Sequence, residues 1–261
     1  LQFQFSLVHP IDELNKVVQG VWSGFLPDAA QQVTKPLYSD AGSGVLFNLG
    51  SEIYIGEQCL GKGIFSLPVT QKVQTITLLQ GANLAGIRFC PAAGKTILGH
   101  RFQKISAFNR EEDGFSFFFD LYDQLLMGKN EHNIDLIHTC LQPFARYAQQ
   151  MPEAIIEALT SLQSISNHSI EHASNVSERQ LERLFKHWLN MTPKQYQRAL
   201  RVKNTLMYLR NNRQVDLADV ALAFGYSDQS HMTNEFRKIA AISPKQFVAK
   251  HQSKQTMFRL I

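Results

Sequence analysis

The feature that most restricts this 261-residue chain is a helix–turn–helix pattern that occurs twice in its last hundred residues. The first copy reads IEHASNVS over 170–177, then ERQLERLFK over 178–186. The second reads LADVALAFGYSD over 217–228, then QSHMTNEFRK over 229–238. Ala173 and Ala221 hold matching positions where two helices cross closely, and only a small side chain fits there. Gly225 permits the left-handed backbone of the turn, and Asn175 approximates it in the first copy. Ser177 and Asp228 are good N-caps for the second helices. After each copy a capping residue precedes a proline, Thr192-Pro193 and Ser243-Pro244, which starts a further helix with Pro at its first position.

Between the copies, 193–211 reads as one helix of 19 residues, roughly 28 Å long at 1.5 Å per residue. Adjacent major grooves on one face of B-DNA lie ~34 Å apart, so one chain can offer both second helices to the same duplex. A lone pattern of this kind would be read as a plain helical bundle. Duplication with matching small residues, caps and charge favours DNA binding. Residues 1–150 hold 11 Lys+Arg against 13 Asp+Glu, whereas 151–250 hold 13 against 9 and 251–261 add two more cations. The basic excess therefore lies with the repeats.

Over about 152–250 the chain resembles the AraC/XylS family of bacterial transcription regulators. The resemblance is carried by Ser177 to Lys186, by LADVA at 217–221, by FGYSDQSHM at 224–232 with Glu235-Phe236, and by SPKQF at 243–247. Asn190 and Ala241 stand where that family usually has glycine; Asn tolerates the turn well, and Ala241 bears on local geometry there, not on function. The resemblance implies base contacts from Arg179, Glu182 and Arg183 in the first unit and from Gln229, Ser230, His231 and Asn234 in the second. The chemistry agrees: Arg can fork onto guanine O6/N7, Gln and Asn pair with adenine N6/N7, and Glu accepts from cytosine N4. Ser177, Lys186, Lys194, Asp228, Arg237 and Lys245 are the expected phosphate contacts, which set register without reading sequence. Leu181, Leu184, Phe185, Met232 and Phe236 are expected in the core.

The fold class expected is α+β: a β-rich domain at 1–110, a helical linker or dimerisation helices at 111–151, the all-α DNA-binding domain at 152–250, and a tail at 251–261. Short runs rich in β-branched and aromatic residues, at 44–49, 52–55, 64–67, 73–79 and 85–89, predict strands. Ile11 to Val21 reads as one short helix before the sheet. From Phe115 the period changes: Phe115, Phe118, Phe119, Tyr122, Leu125 and Leu126 make one helical stripe ended by Gly128. Ile134, Ile137, His138 and Leu141 begin another. Helices are predicted at 152–163, 169–175, 177–188, 193–211, 216–223, 228–239 and 244–250.

Other chemistries find little support. Three cysteines without a CxxC exclude a disulfide framework and a cysteine zinc site, and they fit a reducing cytoplasm. No stretch approaches the ~18 apolar residues of a spanning helix, and the first residues do not read as a secretory signal. His168 to His172 satisfies H-x-x-E-H, but it overlaps the first repeat, whose Ile170 and Ala173 serve packing. Gly56 to Gly63 nearly matches a P-loop, yet Gly63 replaces the Mg²⁺-binding hydroxyl and a strand follows, so a hairpin turn is the better reading. Cys90 has no neighbour in sequence that argues for a reactive thiolate.

Segments 39–50, 85–89 and 91–99 look similar to an N-terminal domain found fused to this regulator class. The resemblance implies that such a module senses a small molecule or drives self-association. Trp22, Phe25, Phe47, Tyr54, Arg88 and Phe89 are candidates to line an effector pocket, with Arg88 facing an anion; equally, they form the sheet's core and Arg88 is a structural charge. The expected function is a cytoplasmic transcription regulator that recognises DNA and catalyses nothing. Its expected partners are duplex DNA, RNA polymerase, a small-molecule effector and a second copy of the chain, with no membrane, cofactor or metal. The rival is an enzyme whose β-rich domain is catalytic, with a helical appendage.

Overall fold

The computed structural model describes residues 3–111, 114–128, 133–164, 176–212 and 214–252. Its N-terminal half is built on two antiparallel sheets. The larger has six strands in the order β1 (Gln4–Val8), β2 (Val18–Phe25), β9 (Asn83–Phe89), β4 (Gly44–Asn48), β7 (Gly63–Leu67) and β10 (Ser106–Ala107). The smaller has four, β3 (Val33–Leu37), β8 (Gln74–Leu78), β5 (Ile53–Ile55) and β6 (Gln58–Leu60). Leu26, Leu46, Phe65 and Leu84 meet Ile53, Ile55, Leu60, Ile76 and Leu78 in a core drawn from both sheets.

The opposite face of the larger sheet is also covered. Val21, Val45, Phe47, Ile64, Ile87 and Phe89 pack under α1 (Ala93–Leu98), α2 (Ser116–Met127), α3 (Asn133–Cys140) and a 3₁₀ segment Gln142–Gln150. Two covered faces explain why every residue of β4 is buried and why it reads as a continuous apolar run. The stripe expected over 115–126 is spent here: Phe118, Phe119, Leu121 and Leu125 are buried against the sheet. The helices placed at 111–151 as linker or dimerisation elements are thus a layer of the sheet domain.

The helix expected over Ile11 to Val21 is corrected. Asp12–Lys16 forms only a 3₁₀ turn, and Val18 already begins β2. Residues of β2 pair with β1 on one side and β9 on the other. Two ladders and a buried β-branched run outweigh a helical spacing of a few apolar residues. Strands β1, β3, β6 and β10 and helix α1 were not among the expected elements. Pro36 lies in β3, an edge strand, where its missing N–H costs no ladder bond.

The C-terminal half is helical: α4 (Glu153–Ser164), α5 (Glu178–Leu189), α6 (Pro193–Asn211), α7 (Leu217–Ala223), α8 (Gln229–Ala240) and α9 (Pro244–Gln252). All six were expected within one or two residues. The helix expected at 169–175, with Ala173 and Asn175, the H-x-x-E-H match and the tail beyond residue 252 lie outside the described residues; the first two tail residues end α9. Ile155, Leu159, Leu181, Phe185, Leu189 and Tyr196 form one core, and Val202, Leu206, Val220, Met232, Phe236 and Phe247 another. Helix α6 contributes to both, which ties the two units together.

Candidate nucleic-acid interface

Helix α5 starts where its sequence says it should. Ser177 Oγ accepts from the Gln180 N–H, and Gln180 Oε1 accepts from the Ser177 N–H at 3.1 Å, a closed capping box. Leu181, Phe185 and Leu189 recur every four residues and are buried; Arg179, Glu182, Arg183 and Lys186 stand exposed on the other side. Asn190 ends the helix in the left-handed conformation (φ 55°, ψ 27°).

Helix α8 repeats the design with different caps. Asp228 Oδ1 accepts from the His231 N–H at 2.7 Å. This bond, outweighing desolvation, holds the Asp228 carboxyl below its ordinary value. Gly225 takes φ 73° in the turn before it, and Ala221 is fully buried at the crossing of α7 and α8. Met232, Phe236 and Ile239 face inward, while Gln229, Ser230, Asn234, Arg237 and Lys238 are exposed.

Six of the seven residues expected to read bases are exposed in the first halves of α5 and α8. The seventh, His231, is half-buried. Its Nδ1 accepts from the Ser227 N–H at 3.2 Å, its ring meets Tyr226 edge-on, and its Nε2 lies 3.9 Å from Glu235 Oε1. Of the expected phosphate contacts, Lys186, Lys194, Arg237 and Lys245 are exposed, Lys194 and Lys245 in the first turns of α6 and α9. The Ser177 hydroxyl and the Asp228 carboxylate are occupied as caps, so a phosphate there would meet their backbone rather than their side chains.

The sequence reading missed what holds α8 in place. Glu235 is buried, with Arg198 Nε of α6 at 2.5 Å from its Oε1 and Arg201 Nη1 at 3.9 Å from its Oε2. A carboxylate three residues after Met232 and beside Phe236, on the apolar side of the helix, was the available signal.

The candidate effector residues do not converge on one cavity. Phe47 and Phe89 are fully buried on the helix-covered face of the larger sheet. Trp22 joins the core between the sheets, stacked on Phe5, with Gly86 where any Cβ would meet its indole at 2.4 Å. Tyr54 pairs with Cys59 in the β5–β6 hairpin, whose Gly56 turn (φ 59°) is the near P-loop segment. Arg88 is engaged by Asp40: its Nε donates to Oδ2 at 2.8 Å and its Nη2 to Oδ1. Burial alone would raise the Asp40 carboxyl, but Arg88, Lys203 and the Gly42 N–H outweigh it and hold it below its usual value. Burial pushes the Cys90 thiol up to about 12, which keeps it protonated and unreactive. No group of three or more His, Cys, Asp or Glu able to hold a metal occurs among the described residues, and no described helix is long and apolar enough to cross a membrane.

A family model described as a helix-turn-helix domain matches residues 170–250. The HTH-type transcriptional regulator ArgR of Pseudomonas aeruginosa is 30% identical over 104 residues, 40% of this chain and 30% of that protein. The chain therefore spans less than a third of the curated relative it matches. Among solved structures, an AraC-type DNA-binding-domain regulator from Chromobacterium violaceum is 29% identical over 40% of this chain and 96% of its own, with a TM-score of 0.36. ToxT from Vibrio cholerae, in a form bound to unsaturated fatty acid, aligns over 98% of both chains with 6% identity and a TM-score of 0.49.

Proposed function

We propose, from the premise that residues 170–250 are an AraC-type helix-turn-helix domain, that this chain is a sequence-specific DNA-binding transcription regulator. The observation that carries the reading is the pair α5 and α8. Each is capped, each buries one apolar stripe, and each leaves its first turns polar and exposed, on either side of the shared helix α6. Lys186, Lys194, Arg237 and Lys245 supply the sequence-independent attraction to phosphates, which weakens steeply with salt. Arg179 and Arg183 suit guanine, Gln229 and Asn234 suit adenine, Glu182 suits cytosine, and Ser230 and His231 complete the reading set. The work of the chain is recognition rather than catalysis.

The N-terminal domain modulates this activity through an effector or through self-association, and the DNA-bound regulator meets RNA polymerase at the promoter. Leu126 and Met127, 49% and 89% exposed at the end of α2, are where a second copy would seat; light scattering at micromolar concentration that finds only monomer rejects the dimer. DNA recognition itself is tested by selecting duplexes from a random pool and measuring affinity across salt concentrations. Arg183→Ala should weaken the selected duplex by about 1–3 kcal/mol and relax one base preference. Unchanged affinity with unchanged preference removes Arg183 from the reading set, and failure to enrich any sequence removes the function.

A further inference from the structure

The loop 68–73, between β7 of the larger sheet and β8 of the smaller, touches the rear ends of both α5 and α8. The Val73 N–H donates to the Ile239 carbonyl at 2.7 Å. Ile239 is one of the last four residues of α8, whose carbonyls have no partner within their own helix. Two residues earlier, Gln71 Nε2 donates to the carbonyl of Asn190, the left-handed cap that ends α5. Two residues of chain span at most about 7 Å, so a single short segment grips both helix ends.

That segment is anchored in its own domain. The Val69 N–H donates to the Phe102 carbonyl at 3.1 Å, and the Thr70 carbonyl accepts from Ser39 Oγ. Val69 packs against both the sheet–helix core and the core of the first helical unit. Nearby contacts reinforce the docking: the Tyr38 ring lies 6.2 Å from that of Phe247, and Ala41 and Ala92 enter the core around Phe185 and Tyr196. With the domains docked in this way, Arg179, Glu182, Arg183, Gln229, Ser230 and Asn234 all remain exposed. The sheet domain holds the recognition helices from behind and leaves their reading faces open.

From these contacts we infer that loop 68–73 is a strap that sets the spacing of the two recognition helices, with Gln71 and the Val73 N–H as its positioning groups. The inference rests on the DNA-binding reading and deepens it. The sheet domain determines which separation of half-sites the chain accepts. Any change in that domain that moves the strap changes DNA recognition without touching a base-reading side chain.

The test uses the full chain and a duplex enriched by the wild type from a random pool. Companion duplexes carry one or two base pairs inserted or removed between the halves, each step shifting the second groove by about 3.4 Å and 35°. The wild type should lose affinity about tenfold on a one-pair insertion, a coupling of ordinary size. Val73→Pro, which removes the N–H, and Gln71→Ala, which spares every main-chain bond, should bind the original duplex more weakly. In both variants the insertion should matter less than about threefold. Binding to random duplex at low salt should not change. Should Val73→Pro fail to fold by circular dichroism, Gln71→Ala decides alone. A variant that keeps the wild-type loss on insertion overturns the strap, and so does one that binds the original duplex more tightly, which would make the loop a restraint on binding. A wild type that enriches no duplex overturns the DNA-binding reading itself, a failure distinct from the other two.

Discussion

Replacing Ala241 by glycine should make the protein more stable, an unusual direction for a helix end. Ala241 follows α8 at φ 51° and ψ 26°, in the left-handed region. An L side chain there costs roughly 1–2 kcal/mol, because Cβ crowds the following carbonyl oxygen. Glycine removes that penalty but gives the unfolded chain more freedom, an offset of about 0.5–1 kcal/mol. Ala241 is exposed, so losing its methyl forfeits no packing. The net is a gain of about 0.5–1 kcal/mol, or roughly 1–4 °C in Tm for a chain of this size. Two neighbours sharpen the test. Asn190 holds the same conformation after α5 (φ 55°), but Asn bears it more easily, so Asn190→Gly should gain less than Ala241→Gly. Ala240, one residue earlier, is helical and buried, so Ala240→Gly should lose at least about 1 kcal/mol. Urea unfolding followed by far-ultraviolet circular dichroism reads all three. A midpoint for Ala241→Gly at or below wild type, or a gain smaller than that of Asn190→Gly, refutes the reasoning.

Two further outcomes follow from charge. Glu235→Ala leaves Arg198 and Arg201 facing each other without their counter-charge. Breaking a buried pair costs about 3–5 kcal/mol, reduced here to about 2–3 because the Arg198 side chain is 34% exposed and water screens it; a urea midpoint within about 0.5 kcal/mol of wild type would show that the clamp does not hold α8. Asp228 has its carboxyl held below its ordinary value in the folded state, chiefly by the His231 N–H, so its stabilisation is complete above that ordinary value and lost as pH falls through the lower folded one. The advantage of wild type over Asp228→Asn, compared by urea midpoints at pH 7, 4 and 3, should therefore shrink toward acid, and an advantage that holds or grows at pH 3 contradicts the assignment.

The helical half was legible because its determinants are local. Ser177, Thr192, Asp228 and Ser243 act within three residues of themselves, each accepting from a backbone N–H one turn ahead. Pro193 and Pro244 need only the φ they already have. The apolar positions of α5 and α8 lie on one side by the 3.6-residue period alone, which also left Arg179, Arg183, Gln229 and Asn234 outward. Even the turn at Gly225 is set by one residue's freedom to take φ 73°.

What stayed hidden depends on partners far along the chain. Val18 to Val21 passed for the end of a helix because the strand character of β2 comes from ladders to β1 and β9, the latter some 65 residues away. The stripe of α2 announced an apolar face but not its cover, and only the packing of Phe118 and Leu121 on Phe47 and Val45 shows that the sheet takes it. Arg88 read as a possible anion site until Asp40, 48 residues earlier, was placed within hydrogen-bonding distance. The strap is the extreme case: Gln71 and Val73 carry no motif, and their meaning exists only through Asn190 and Ile239, more than a hundred residues downstream. Caps, turns and helical faces are written residue by residue, because each is an interaction between near neighbours on one chain. The pairing of charges, the covering of faces and the hold of one domain on the other were decided by tertiary structure, since those energies arise only when distant segments close on each other and exclude water.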